Sequence, residues 1–202
     1  MKTKLLALAL AGTGLFALPA LGLAQNASGF FINGNIGQAN LDKGAYNDDD
    51  TGYAANFGYR WAVAPNVLIG VEGGYADLGS FGPRSTYAGV DLGDARVKGW
   101  NIGANTHINL TDNWYVSGRA GYFRADVRGT YINSVQNSPG GEPLYVVTGV
   151  NDTGNKWYGG VGFGYDFNNN FSVGLNYDYY KANVRGLDFN PDLVSVSAEY
   201  RF

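Results

Sequence analysis

The sequence predicts an all-β protein, a closed antiparallel up-and-down eight-stranded transmembrane β-barrel. Three features point there. Apolar and polar residues alternate with a period of two over about eight stretches of roughly ten residues, the length a tilted strand needs to cross a bilayer. Tight turns alternate with longer connections along the chain. The composition sets 31 glycines and 15% aromatic residues against 15% charged residues. That balance is odd for a soluble core but expected for short strands with aromatic belts outside and small residues inside.

The chain opens with Met1-Lys2-Thr3-Lys4, an apolar run from Leu5 to about Leu18, then Pro19 and Leu21-Gly22-Leu23-Ala24. A basic start, a short apolar core and small residues before the cut are the pattern of a secretory signal peptide. Cleavage is expected after Ala24, with Ala27 as the alternative, so residues 1–24 are the signal peptide and 25–202 one barrel domain. The run is shorter than the roughly 18–20 residues of a spanning helix. Cysteine is absent, which excludes disulfides and thiolate chemistry. The net charge of −3 argues against a nucleic-acid partner.

The first strand is expected from about Gly29 to Leu41, with Phe30, Ile32, Gly34 and Ile36 on one face. A polar loop is expected from Asp42 to Asp50, then a strand from Thr51 to Ala62 with Tyr53, Ala55, Phe57, Tyr59 and Trp61 outward. Val63-Ala64-Pro65-Asn66 reads as a tight turn. The third strand spans about Val67 to Asp77 and the fourth Val97 to Leu110, joined by a longer loop, about Leu78 to Arg96. Thr111-Asp112-Asn113 turns the chain into the fifth strand, Trp114 to Arg124. The longest connection, about Ala125 to Asn155, precedes the sixth strand, Lys156 to Phe167. Asn168-Asn169-Asn170 leads to the seventh, Phe171 to Lys181, and a short loop from Ala182 to Pro191 to the last.

The last strand, Leu193 to Phe202, alternates Val194, Val196, Ala198, Tyr200 and Phe202 against Ser195, Ser197, Glu199 and Arg201. An unpaired backbone group in hydrocarbon costs several kcal/mol, so the final strand must pair with the first. Aromatic residues form two sets. Tyr59, Trp61, Trp114, Phe167, Phe171, Tyr200 and Phe202 lie near the short turns, and Tyr53, Tyr75, Trp100, Tyr122, Trp157 and Tyr179 near the longer connections. Two sets at two ends read as belts at two membrane interfaces.

The terminal Phe202 with Tyr200, the segments Gly70 to Gly79 and Gly118 to Tyr122, the signal peptide and the alternating loops together resemble small eight-stranded Gram-negative outer-membrane barrels of the OmpA/OmpX-like superfamily. The resemblance implies an outer-membrane location with both termini periplasmic. It implies contact with outer-membrane lipid and lipopolysaccharide, and delivery by the barrel-assembly machinery through Tyr200 and Phe202. No segment resembling a peptidoglycan-binding domain follows the barrel, so cell-wall tethering is not implied.

Charges on the inward parity are Arg60, Glu72, Arg119, Asp166, Asp178, Glu199 and Arg201. Inside a narrow barrel they must be paired or wetted. The expectation is an ion-paired lumen cluster with Arg119 as its cationic centre and Glu72 and Glu199 near the same depth. His107 is the only histidine. Barrel enzymes that modify lipid A use His with Ser or Asp, but His107 sits at the short-turn end and reads as a polar lumen residue. Asp48-Asp49-Asp50 reads as a solvated acidic loop without the spaced ligands of a calcium loop. Asp42, Asp91 and Asp94 fall in the first two expected outer loops, where an outer-membrane location would put them within reach of lipopolysaccharide and its bridging cations. Val127–Ile132 and Pro143–Thr148 are expected to form a hairpin above the membrane with Ser138-Pro139-Gly140-Gly141 at its tip. Tyr131 and Tyr145 on it are candidates for partner contact by edge addition. No cofactor, metal or catalytic residue is expected. The functional expectation is a non-enzymatic structural barrel whose outer loops mediate adhesion or other surface contacts; the alternative is a narrow, porin-like pore for ions or small solutes.

Overall fold

The structure, a computed structural model, describes residues 27–43, 46–82, 94–135, 144–184 and 187–202. The signal segment, Asp91 and the expected hairpin tip at Ser138–Gly141 lie outside the described residues. Among the described residues no helix is long and apolar enough to cross a membrane.

Ten strands form: β1 Gly29–Lys43, β2 Tyr46–Ala64, β3 Val67–Phe81, β4 Ala95–Asn109, β5 Trp114–Val135, β6 Leu144–Asp166, β7 Phe171–Tyr180, β8 Ala182–Val184, β9 Leu187–Phe189 and β10 Asp192–Arg201. Eight of them close a barrel in the order β1-β10-β7-β6-β5-β4-β3-β2, while β8 and β9 pair with each other. Every barrel pairing is antiparallel. The closure is β10 on β1, from Phe31↔Arg201 to Asn40↔Asp192. The Phe202 N–H extends it by donating to Phe30 O at 2.9 Å.

The turns are short where the sequence predicts them, and side chains cap two of them. Thr111 Oγ1 accepts from Trp114 N at 3.0 Å. Asn168 Oδ1 accepts from Asn170 N at 2.8 Å and Phe171 N at 2.9 Å, an Asx turn.

At the other end the structure corrects the loop boundaries. The polar loop expected from Asp42 to Asp50 is strand, since β1 runs to Lys43 and β2 starts at Tyr46, with only 44–45 between them. β3 continues to Phe81, and β5 and β6 continue to Val135 and Leu144. The expected segment Val127–Ile132 is thus paired with residues of β6, from Val127↔Asp152 to Ile132↔Val147. The expected short loop at Ala182–Pro191 carries the β8–β9 hairpin.

The physical reason is an inversion of polarity along the barrel. Between the belts the outer surface is apolar, with Ile102 67%, Val161 65% and Trp100 66% exposed. The inner face there is polar, as expected in lipid. Beyond the belt near the longer connections the pattern reverses. Lys98, Arg124 and Asp126 fall on the outward parity of their strands. Inside lie Leu41, Leu78, Phe81, Val97, Phe123, Val127 and Leu193, each at most 1% exposed. The extension is therefore built like a soluble barrel with an ordinary apolar core. Charged residues alternating with apolar ones there resemble a loop in composition but are strand in structure.

Where the β2–β3 ladder stops at Tyr53↔Asp77, acidic side chains continue the connection. Asp50 Oδ2 accepts from Ser80 N and Asp48 Oδ2 from Gly82 N, both at 2.8 Å. Just before these two amides the chain passes through Gly79, whose φ of +84° suits glycine. Asp48 and Asp50 are thus strand residues that hold β3, not members of a solvated loop.

Candidate functional site

The lumen is the best-defined polar site. The inward parity of β2, β3, β5, β6, β7 and β10 brings all seven expected charges inside, and Arg60, Glu72, Asp166, Asp178, Glu199 and Arg201 are all buried. Three groups form instead of one cluster around Arg119.

The first group is Arg60 with Glu199. Arg60 on β2 reaches past β1, its guanidinium 3.9 Å above the Phe31 ring. Nη1 and Nη2 donate to Glu199 Oε1 and Oε2 at 2.5 and 3.0 Å. Its Nε donates to Asn105 Oδ1 at 2.6 Å. A fork-to-fork arginine–carboxylate pair with every donor group engaged is the geometry that offsets the cost of burial.

The second group is Arg119 with Asp178. Nε and Nη2 of Arg119 donate to the two carboxylate oxygens at 2.6 and 2.7 Å. Nη2 also lies 3.5 Å from Asn35 Oδ1. The row reads Arg119↔Gly160↔Asp178, and a Cβ at Gly160 would collide with Asp178 Oδ1. The glycine leaves the space the ion pair fills.

The third group lies at the short-turn end. Arg201 pairs with Asp166 Oδ1, and its Nη2 also donates to Ser172 Oγ at 2.8 Å. His107 Nε2 lies 3.1 Å from Asp166 Oδ2, and its ring stacks on Tyr115 with centroids 4.0 Å apart. Arg201 Nε, 3.6 Å from Glu199 Oε1, links this group to the first.

Glu72 departs from the expectation. Among the described residues it has no cationic partner within ion-pair distance. Instead it accepts from Asn105 Nδ2 at 3.1 Å and from the Tyr158 hydroxyl at 2.8 Å. Arg119 turns toward Asp178, so it is the centre of one pair rather than of the whole cluster. Hydrogen bonds continue outward from Tyr158 to Asn101 Nδ2 at 3.4 Å and on to Asn56 at 2.9 Å.

Between these groups the lumen keeps a cavity of about 30 Å³, lined among others by Arg60, Glu72, His107, Arg119 and Glu199. That is room for one or two waters. Above the network the interior closes on Tyr158, Tyr180 and Phe123, with Tyr158 and Tyr180 stacked at 5.9 Å and Phe123 edge-on to Tyr180 at 4.9 Å. The alternation in the sequence predicts small and polar residues along the whole inner face, whereas the structure closes one level of it with these rings. Its signal was present: Phe31, Phe123, Tyr158 and Tyr180 break the polar parity of their strands.

The other candidates lie elsewhere. Tyr200 and Phe202 are on the outer surface at the short-turn end, their rings 5.1 Å apart. Tyr131 and Tyr145 are on the far extension of β5 and β6, paired with Thr148 and Ser134. Those two positions fall on opposite faces of the ribbon.

A closed eight-stranded barrel with a lipid-facing exterior and a charged interior defines a transmembrane β-barrel of the bacterial outer membrane. The chain belongs to the family described as outer membrane protein beta-barrel domain, matched over residues 7–202. No curated protein matches it. Among solved structures it is similar to Ail of Yersinia pestis, at 16% identity and TM-score 0.54, covering 88% of this chain and 100% of that one. It is also similar to Neisserial surface protein A, at 11% identity and TM-score 0.51, covering 88% of this chain and 100% of that one. At these identities the likeness is one of fold.

Proposed function

We propose that the protein is a non-enzymatic scaffold of the outer membrane whose sealed barrel carries an outward β ribbon for adhesion or other surface contacts. The observation that carries this reading is the β5–β6 pairing. It includes all 22 residues of β5, from Trp114↔Tyr165 to Val135↔Leu144. The neighbouring ladders stop earlier, at Arg96↔Arg128 and Tyr158↔Tyr180. A ribbon that outruns its neighbours offers strand edges to a partner. In this reading both termini and the short turns are periplasmic, residues 1–24 are removed on export, and Tyr200 and Phe202 present the strand read by the barrel-assembly machinery.

The packing favours a scaffold over the narrow pore, since eight strands leave an interior that side chains fill. Here ion pairs fill one level and apolar rings another. Ail has been crystallised with the heparin analogue sucrose octasulfate; a surface-contact role for this chain is consistent with that neighbour but rests on the ribbon.

Arg128 and Asn151 are paired, so residues 129–150 can be replaced by a two-residue turn without disturbing the ladder below. Cells displaying the shortened barrel should adhere less to epithelial monolayers than cells displaying the full protein at equal surface level. Equal adhesion would overturn the ribbon's role, and discrete current steps from the intact barrel in a planar bilayer would favour the pore.

A further inference from the structure

The inner charges do not cancel. Between the short turns and the rings of Phe123, Tyr158 and Tyr180, the described lumen holds three arginines, Arg60, Arg119 and Arg201, and four carboxylates, Glu72, Asp166, Asp178 and Glu199. Each arginine takes one carboxylate: Arg60 takes Glu199, Arg119 takes Asp178 and Arg201 takes Asp166. Glu72 is left, buried and held only by the neutral donors Asn105 Nδ2 and the Tyr158 hydroxyl. Neutral donors position a carboxylate without cancelling its charge, and an uncompensated charge in a barrel interior is costly. His107 does not answer it, because its Nε2 faces Asp166, whose other oxygen Arg201 already holds.

The cavity of about 30 Å³ borders this carboxylate, and neutral oxygens form its far wall. The row Ser117↔Gly162↔Asn176 repeats the plan of Arg119↔Gly160↔Asp178 two residues along each strand. Its central glycine leaves a space that both flanking side chains reach over. Asn176 Oδ1 and Ser117 Oγ stand 2.3 and 2.4 Å from where a Cβ on Gly162 would lie. The Asn176 amide nitrogen is turned away, toward Asn35 Oδ1 at 3.3 Å. An ion pair fills the space in the Arg119 row, whereas two uncharged oxygens converge over it here.

We propose that this cavity binds one monovalent alkali cation, between the Glu72 carboxylate and the oxygens of Ser117 and Asn176. A single positive charge brings the lumen to neutrality, and a divalent ion would overshoot it. Carboxylate, amide and hydroxyl oxygens are the donors a hard cation takes. The volume suits one ion with one water, not a fully hydrated ion. Arg60 and Arg119 also line the cavity. Arg60 donates to Glu199 and Asn105, and Arg119 donates to Asp178, so each faces the site as part of a neutral pair.

The test follows urea unfolding of the refolded barrel in a non-ionic detergent. Sodium is raised at constant ionic strength against N-methylglucamine, an organic cation too large for the cavity. With a dissociation constant of about 10 mM, going from about 1 to about 100 mM sodium multiplies the folding constant of the wild type roughly tenfold, because only the folded barrel holds the site. Glu72→Gln keeps the shape, removes the charge and should show no sodium response. Ser117→Ala keeps the charge and should move the midpoint of the response several-fold higher in sodium; if Glu72→Gln does not fold, this variant carries the test. A wild type indifferent to sodium overturns the proposal, as does an equal response in wild type and Glu72→Gln, or a midpoint that Ser117→Ala leaves in place. So does a barrel whose stability follows pH and ignores sodium, which would put a proton in the lumen in place of the cation.

Discussion

Arg119 on β5 and Asp178 on β7 are joined across the vacant Cβ position of Gly160 on β6, with two hydrogen bonds of 2.6 and 2.7 Å. The pair spans a strand because that strand carries glycine in their shared row. Lumen glycine is therefore part of the charge network as well as filler.

Removing one partner should leave the other buried and unpaired. Arg119→Ala is expected to lose about 3–5 kcal/mol of unfolding free energy. The Arg119→Ala/Asp178→Ala double variant should lose clearly less than the sum of the two single losses. Urea unfolding of the refolded barrel measures both; strict additivity would show that the pair does not act as a pair.

Gly159 and Gly160 provide an internal contrast. A Cβ at Gly159 meets nothing nearer than Arg119 O at 3.6 Å, whereas one at Gly160 runs into Asp178. Gly159→Ala should leave stability within about 0.5 kcal/mol, and Gly160→Ala should cost about 1–3 kcal/mol by overpacking. Similar urea midpoints for the two variants would mean the lumen has slack at this row.

Closure at two levels predicts that opening one is not enough. Wild type and Arg119→Ala should both be silent in planar bilayers, because Phe123, Tyr158 and Tyr180 still close the end away from the short turns. Adding Phe123→Ala and Tyr180→Ala to Arg119→Ala should produce current steps. Conduction by Arg119→Ala alone would show that the aromatic level does not seal.

Asp50 holds the Ser80 amide where the β2–β3 ladder has ended. Asp50→Ala should speed hydrogen exchange at Ser80 while leaving the Tyr53–Ala62 ladder protected. Unchanged exchange at Ser80 would remove the carboxylate from any role in extending β3.

Phe202 donates its backbone N–H to Phe30 O at the closing seam and lays its ring, 71% exposed, on the outer surface. If it is the assembly signal, its deletion should cut the yield of folded barrel in cells several-fold and change refolding into detergent much less. Equal losses in both settings would assign Phe202 to stability instead.

The sequence by itself determined the eight membrane strands, their facing and the two belts. In lipid, the outward residue of every pair must be apolar and the inward one need not be, so a period of two is legible wherever Phe57, Val71, Ile102 or Leu175 alternates with small or polar neighbours. It also brought the seven inward charges to one side of the wall. Tertiary structure alone decided two things. One was where strand ends: Asp48, Asp50, Lys98 and Asp126 have the composition of loops, and only the apolar interior formed by Phe81, Val97, Phe123 and Val127 makes them the outer surface of a barrel extension. The other was which charges meet. Arg60 finds Glu199 across Phe31, Arg119 finds Asp178 across Gly160, and Glu72 is held by Asn105 and Tyr158. Those choices depend on closure and register, which bring together side chains more than a hundred positions apart, as with Arg60 and Glu199, and alternation along a single strand carries no record of them.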